Sequence, residues 1–188
     1  METDAGPLIP RDRLLVGVTD AIEHELRCAM EYALGVEVET FAYPEILAGD
    51  FEPLLKRFKK RISSISGEIG FHGAFFDTCH FSLDPEIRHV ARKRYLQSMD
   101  IAERLCARFV VFHSQYNPVV RVPAYPEIYH AGSLAFWADM LEEARRRNLA
   151  IYLENMFDDT PGPLCRLLDD INDTGFKSLS LIHISEPT

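Results

Sequence analysis

The chain has 188 residues, 47% of them hydrophobic, which is enough apolar side chain for one sizeable core. Its 29 acidic against 20 basic residues leave a formal charge of −9, which argues against a surface built to follow a nucleic-acid backbone. No apolar run reaches the roughly 18–20 residues of a membrane-spanning helix, and residues 1–13 lack the basic start and apolar stretch of a secretory signal, so the expected location is cytoplasmic.

Four widely spaced cysteines, Cys28, Cys79, Cys106 and Cys165, form no CxxC pair and read as reduced thiols. The basic clusters at 56–61 and 145–147 read as solvated helix faces.

Short β-rich apolar runs alternate with longer amphipathic segments, the pattern of βα units around a parallel sheet. Residues 14–18 read as a first strand, and 21–34 as a helix stopped by Gly35, a residue suited to a left-handed cap. Residues 36–41 give a second strand, 51–62 a second helix and 69–75 a third strand. Asp84-Pro85-Glu86 is a strong helix start: a capping Asp, a proline whose missing N–H costs nothing at the first position, and an acid at the positive helix end. Ile87, Val90, Ala91, Tyr95, Met99, Ala102, Leu105 and Cys106 then recur at helical spacing, which predicts one buried stripe leading to a fourth strand at 109–113. A long loop is expected over 114–132, after which Ser133 caps a fourth helix with Trp137, Met140, Leu141 and Ala144 on its inner face. Residues 149–153 make a fifth strand, and a last helix spans 163–171.

Runs such as Phe109-Val110-Val111-Phe112 are apolar on both faces, as expected where helices cover one side and a barrel interior fills the other. A doubly wound open sheet would look similar, but Val16-Gly17-Val18-Thr19-Asp20 has a single glycine where a dinucleotide-binding turn usually has three. The fold class is therefore read as α/β: a partial (β/α)8 TIM barrel over residues 1–178, with about five βα units and the start of a sixth strand. Residues 179–188 match a forward translation of the transposase adapter used to prepare sequencing libraries, and are set aside as non-native.

In such a barrel, reactive groups sit where strands end at the C-terminal face. Glu39 lies near the end of the second strand, His72 on the third, His113 at the end of the fourth, and Glu154 and Asn155 at the end of the fifth. Taken singly, each histidine has a plain explanation as a hydrogen-bonded core residue. Together, two imidazoles and a carboxylate at the ends of consecutive strands are suitable ligands for one divalent ion. Asp77, Cys79 and His80 follow the third strand and read as a polar loop, while His24, His89 and His130 read as surface residues.

At these residues the chain resembles the xylose isomerase-like superfamily, which holds sugar-phosphate isomerases and epimerases together with family-two AP endonucleases. His72-Gly73-Ala74-Phe75-Phe76-Asp77 is similar to its "His-small-Pro-Phe" motif, with Ala74 where proline is common. Residues 84–94 resemble its "Asp-x-x-Ile-Arg" helix start, Val110-Val111-Phe112-His113 its fourth-strand motif, and Leu153-Glu154-Asn155 its fifth-strand Glu-Asn. The resemblance implies that Glu154 is both a metal ligand and a proton carrier. His72 and His113 match ligands of the multi-zinc endonucleases, whereas in many single-metal isomerases these positions contact substrate or water. Glu39 and Asn155, from their strand-end positions, and Tyr116 and Asn117, which follow His113, are the expected substrate contacts, although Asn117-Pro118 is also a turn former.

The expected activity is a metal-dependent sugar or sugar-phosphate isomerase or epimerase that transfers a proton beside a polarised carbonyl. The alternatives are an AP endonuclease-like DNA phosphodiesterase and a non-catalytic barrel. The expected cofactor is a divalent metal (Mn, Zn, Co, Fe or Mg), with no organic cofactor. The expected partner is a small sugar or sugar phosphate rather than nucleic acid or membrane, and a homo-oligomer is compatible with the fold. The family's remaining ligands would lie beyond Lys177, so this fragment alone is expected to be inactive. Sequencing the source locus through the codons after Lys177 tests the reading. A frame supplying Asp, His and Glu at further strand ends is expected, whereas a genomic 179–188 followed by a stop would overturn it.

Overall fold

The computed structural model describes residues 14–20, 23–158 and 160–179. Six strands, β1 (Leu15–Val18), β2 (Gly35–Val38), β3 (Ile69–His72), β4 (Phe109–His113), β5 (Ala150–Glu154) and β6 (Phe176–Leu179), lie side by side in sequence order. Every pairing is parallel. The connecting helices are α1 (Glu23–Tyr32), α2 (Pro44–Ala48), α3 (Glu52–Ile62), α4 (Pro85–Arg104), α5 (Tyr125–Arg146) and α6 (Gly162–Ile171). This is a partial (β/α)8 barrel, as the alternating pattern predicts, with a sixth strand in place. Leu179 closes β6, and the rest of the segment set aside as non-native lies outside the described residues.

Alternate side chains on each strand divide between two environments. Val36 and Val38, Phe71, Val110 and Phe112, Ile151 and Leu153, and Phe176 are buried in one apolar layer with the helices. Trp137 of α5 sits at its centre: Tyr95 of α4 stacks on it at 5.5 Å and on Phe112 at 4.3 Å, and Phe176 approaches within 5.7 Å. Such ring pairs contribute about 0.5–1.5 kcal/mol each beyond their area burial, so β4, α4, α5 and β6 are locked as a unit. The other parity faces the barrel interior and carries Glu37, His72, His113 and Glu154, above a Phe109–Tyr152 stack at 4.5 Å. At Gly70 even a Cβ would collide with the Phe109 ring, so only glycine lets that ring fill the interior.

Several boundaries differ from the pattern reading, each for a local reason. β2 ends at Val38, and Glu39 leads into a 3-10 turn (Thr40–Ala42) and the short α2, whose Pro44 at the first helical position is the start signal. α1 ends before Ala33, which itself takes the left-handed conformation (φ 53°), leaving Gly35 to open β2. α5 begins at Tyr125 with Pro126 in its first turn, so the preceding loop ends at Ala124 and Ser133 is a buried mid-helix residue rather than a cap. α4 starts as expected, with the Asp84 carboxylate accepting from the Glu86 N–H at 2.8 Å. The buried stripe runs from Ala91 to Leu105, however, with Ile87 and Val90 before it and Cys106 after it exposed. All four cysteines are unpaired, and no helix among the described residues is long and apolar enough to cross a membrane.

Two histidines also sit otherwise than expected. His130 is buried and paired with Asp170 at 2.8 Å. His80 is wholly buried among Phe81, Tyr95, Phe136 and Trp137, and its Nε2 hydrogen-bonds the Ser133 hydroxyl at 3.0 Å. Burial pushes the His80 imidazole down to about 3, so the fold holds it neutral. An unfolded chain protonates this group near 6.5, hence stability present above that pH is lost progressively as the pH falls toward 3. In His80→Gln, which keeps a donor for Ser133, thermal melts between pH 6.5 and 4 are expected to show a shallower loss of Tm than the parent. Superimposable slopes would contradict this assignment.

Candidate metal centre

β3, β4 and β5 are registered so that His113 lies directly beside Glu154, while Val111, two residues before His113, lies beside His72. This stagger carries three strand-end side chains to one point. His72 Nε2 lies 3.2 Å from His113 Nε2 and 3.5 Å from Glu154 Oε2, and His113 Nε2 is 3.3 Å from the same oxygen. Donors about 2.0–2.1 Å from a tetrahedral ion are held about 3.3–3.4 Å apart, so this triangle fits three corners of such a site. Among the described residues these three form the one His, Cys, Asp or Glu group with donor atoms gathered closely enough to hold a metal ion.

The chemistry of the donors agrees with their spacing. His72 Nδ1 lies 3.1 Å from the Gly73 carbonyl, an acceptor that can take only an N–H. In the neutral ring this leaves the Nε2 lone pair turned toward the cluster, the outer hydrogen bond that orients metal-binding imidazoles. Burial disfavours a charged His72. Bonding to Glu154 and to the Gly73 carbonyl, with the charges of Glu37 and Glu154, outweighs burial and raises its pKa above the ordinary value. Burial likewise opposes ionisation of Glu154, but hydrogen bonds and charge from His113 and His72 hold its carboxyl down at about 2. The centre therefore presents a carboxylate and two imidazoles in a largely dehydrated pocket, where a cation gains most.

Two further acids share the interior face. Glu37, opposite Gly70, is pushed up to about 6 by burial, with Glu39 and Glu154 adding to the rise and His72 opposing it. Glu39 follows β2 and lays its carboxylate over Gly17, where any side chain would collide with it. A reading confined to strand ends passes over Glu37. The signal is nevertheless available, because Glu37 and Glu39 have the same parity in a run otherwise made of valine. Asn155 directly follows β5, and its N–H donates to the Leu179 carbonyl at 3.4 Å. Tyr116 and Asn117 lie in the loop after β4. The Tyr116 ring packs on Tyr125 and Tyr129 at 5.3 and 5.0 Å, and the Asn117 side chain accepts from the Val119 N–H at 3.0 Å, stabilising the turn.

No protein-family model and no curated protein matches the sequence. Solved structures do. The TTHB071 protein from Thermus thermophilus, in crystals soaked with zinc chloride, aligns with a TM-score of 0.72 at 24% identity, over 88% of this chain and 65% of that one. A D-tagatose 3-epimerase-like protein aligns with a TM-score of 0.69 at 20% identity, over 87% and 63%. A xylose isomerase domain protein from Planctomyces limnophilus aligns with a TM-score of 0.63 at 15% identity, over 89% and 62%. The chain has the xylose isomerase-like barrel fold. It spans 62–65% of the length of these three barrels.

Calorimetric titration of the protein with zinc tests the centre. Removing one of the three candidate donors, by His113→Ala or Glu154→Gln, is expected to weaken binding by more than the roughly 10–100-fold typical of outer-shell losses. Affinities equal to the parent's would remove these side chains from metal binding.

Proposed function

We propose that the protein is a metal-dependent isomerase or epimerase of a sugar or sugar phosphate, acting by proton transfer on the carbon beside a carbonyl. The observation that carries this reading is the His72–His113–Glu154 triangle, with its tetrahedral spacing, at the strand ends where barrel enzymes hold their substrates. The fold shared with a D-tagatose 3-epimerase-like protein and a xylose isomerase domain protein supports the substrate class. The zinc-soaked neighbour and the three donors support a divalent ion, drawn from Mn, Zn, Co, Fe or Mg.

A divalent ion held by these three side chains supplies Lewis acidity that polarises a carbonyl and acidifies the adjacent C–H. The chain's own groups do the rest. Glu154 stays ionised across the neutral range, which suits it to hold the ion, and its carboxylate oxygens are the proton acceptor in this reading. Glu37 offers a second carboxyl on the same interior face, so that a proton taken by one acid can be returned by another. In this reading Glu39 and Asn155 contact substrate hydroxyls, with Tyr116 and Asn117 in the loop after β4. Phe75 packs 5.5 Å from the His72 ring and 4.8 Å from the His113 ring, excluding water from one side of the centre.

One observation favours a second reading, an AP endonuclease-like phosphodiesterase: both histidines join the carboxylate at a single point, as a hydrolytic metal cluster would use them. The charge of −9 weighs against it, since phosphate contacts supply much of nucleic-acid affinity.

The two are separated by incubating the full-length protein, manganese-loaded, with a panel of ketoses and ketose phosphates in deuterium oxide, and in parallel with an abasic-site duplex. Deuterium at the carbon beside the carbonyl is expected, reduced about 10²–10⁴-fold in Glu154→Gln. Strand cleavage without deuterium uptake would replace the isomerase reading with the endonuclease one.

A further inference from the structure

The turn that follows His72 is held from the neighbouring strand by one residue. Gln115, two positions after His113, reaches across so that its Nε2 donates to the Phe75 carbonyl at 2.7 Å and to the Thr78 hydroxyl at 3.2 Å. The buried Tyr95 donates to the same Thr78 hydroxyl at 3.1 Å and to the Thr78 carbonyl at 3.3 Å. Thr78 itself donates back to the Phe75 carbonyl at 3.3 Å. The object so clamped is Phe75, whose ring lies against both imidazoles of the centre, 5.5 Å from His72 and 4.8 Å from His113.

The clamp is made at a conformational cost. Gln115 has φ 60°, and Asp77, inside the turn it holds, has φ 55°. Left-handed backbone is unfavourable for any residue with a Cβ, and glycine or asparagine would accept it more readily. What glutamine adds is reach, together with two donor hydrogens on one nitrogen, and both of its partners are acceptors on the far turn. Strained residues of this kind persist where surrounding structure over-determines them, and here both flank the strand ends that carry His72 and His113.

We propose that Gln115 is a positioning residue of the metal centre: it ties the exit of β4 to the exit of β3 and, through Phe75, sets the orientation of both imidazoles without being a ligand. The assignment rests on the metal-centre reading above. It predicts that the ligand geometry is set partly from outside the ligand set, so a change at Gln115 alters the bound ion while all three donors remain.

The test is titration of the protein with cobalt(II), following the visible d–d absorption, alongside thermal melts. Gln115→Met keeps the length and removes both donors; Gln115→Gly removes the side chain but relieves the left-handed strain. Cobalt affinity is expected to fall about 10–100-fold in both variants, the range for lost outer-shell partners, with a shifted absorption envelope. Gln115→Gly is expected to melt no lower than the parent, a separation that a purely structural role would not produce. A parent that binds cobalt and variants that match its affinity and spectrum would overturn the positioning role alone. A parent that takes up no cobalt would overturn the metal centre and the positioning role together.

Discussion

The parallel register between β3, β4 and β5 is the constraint on which the site depends. Side chains on a strand alternate in direction, so a slip of one residue on β4 would turn His113 toward the helices and bring Phe112 into the interior. That slip is opposed on the helix side, where Val110 and Phe112 on β4, and Ile151 and Leu153 on β5, are wholly buried under Tyr95 and Trp137. Burying two imidazoles and a carboxylate is costly, and the cost is offset only if they meet one another at hydrogen-bonding distance. The apolar layer thus holds the polar triangle closed, and its geometry is a by-product of core packing.

The structure also separates histidines that look alike in the sequence. His80 lies in an aromatic cage with a serine partner, and burial holds it neutral down to about pH 3. His72 is nearly as enclosed, yet its carboxylate neighbours raise its pKa above the ordinary value. His130 pairs with Asp170 between α5 and α6. What sets His72 apart from His80 is the charge of the groups facing it, and those groups come from other strands.

Most of the elements were legible in the sequence because period and punctuation marked them. The capping Asp84 with Pro85 announced α4, and the doubly apolar run at 109–112 announced a strand covered on both faces. Short elements were lost: α2 is five residues long, too short to show a period, and only Pro44 signals it. The start of α5 was lost because Ser133 looks like a cap, while the true start uses Pro126 and a preceding alanine with no capping side chain. Ile87 and Val90 keep helical spacing with the buried stripe but lie beyond the end of what packs on it, a limit that periodicity cannot express.

The sequence by itself determined the alternation of strands and helices, and the placement of His72, His113, Glu154 and Glu39 at strand ends, because those depend on local spacing and on the chemistry of single residues. The tertiary structure alone decided that three of them converge within 3.2–3.5 Å, that Glu37 joins their face, and that Gln115 holds the adjoining turn. Convergence of side chains far apart in sequence is set by strand stagger and by packing between helices, and neither leaves a mark within any one segment.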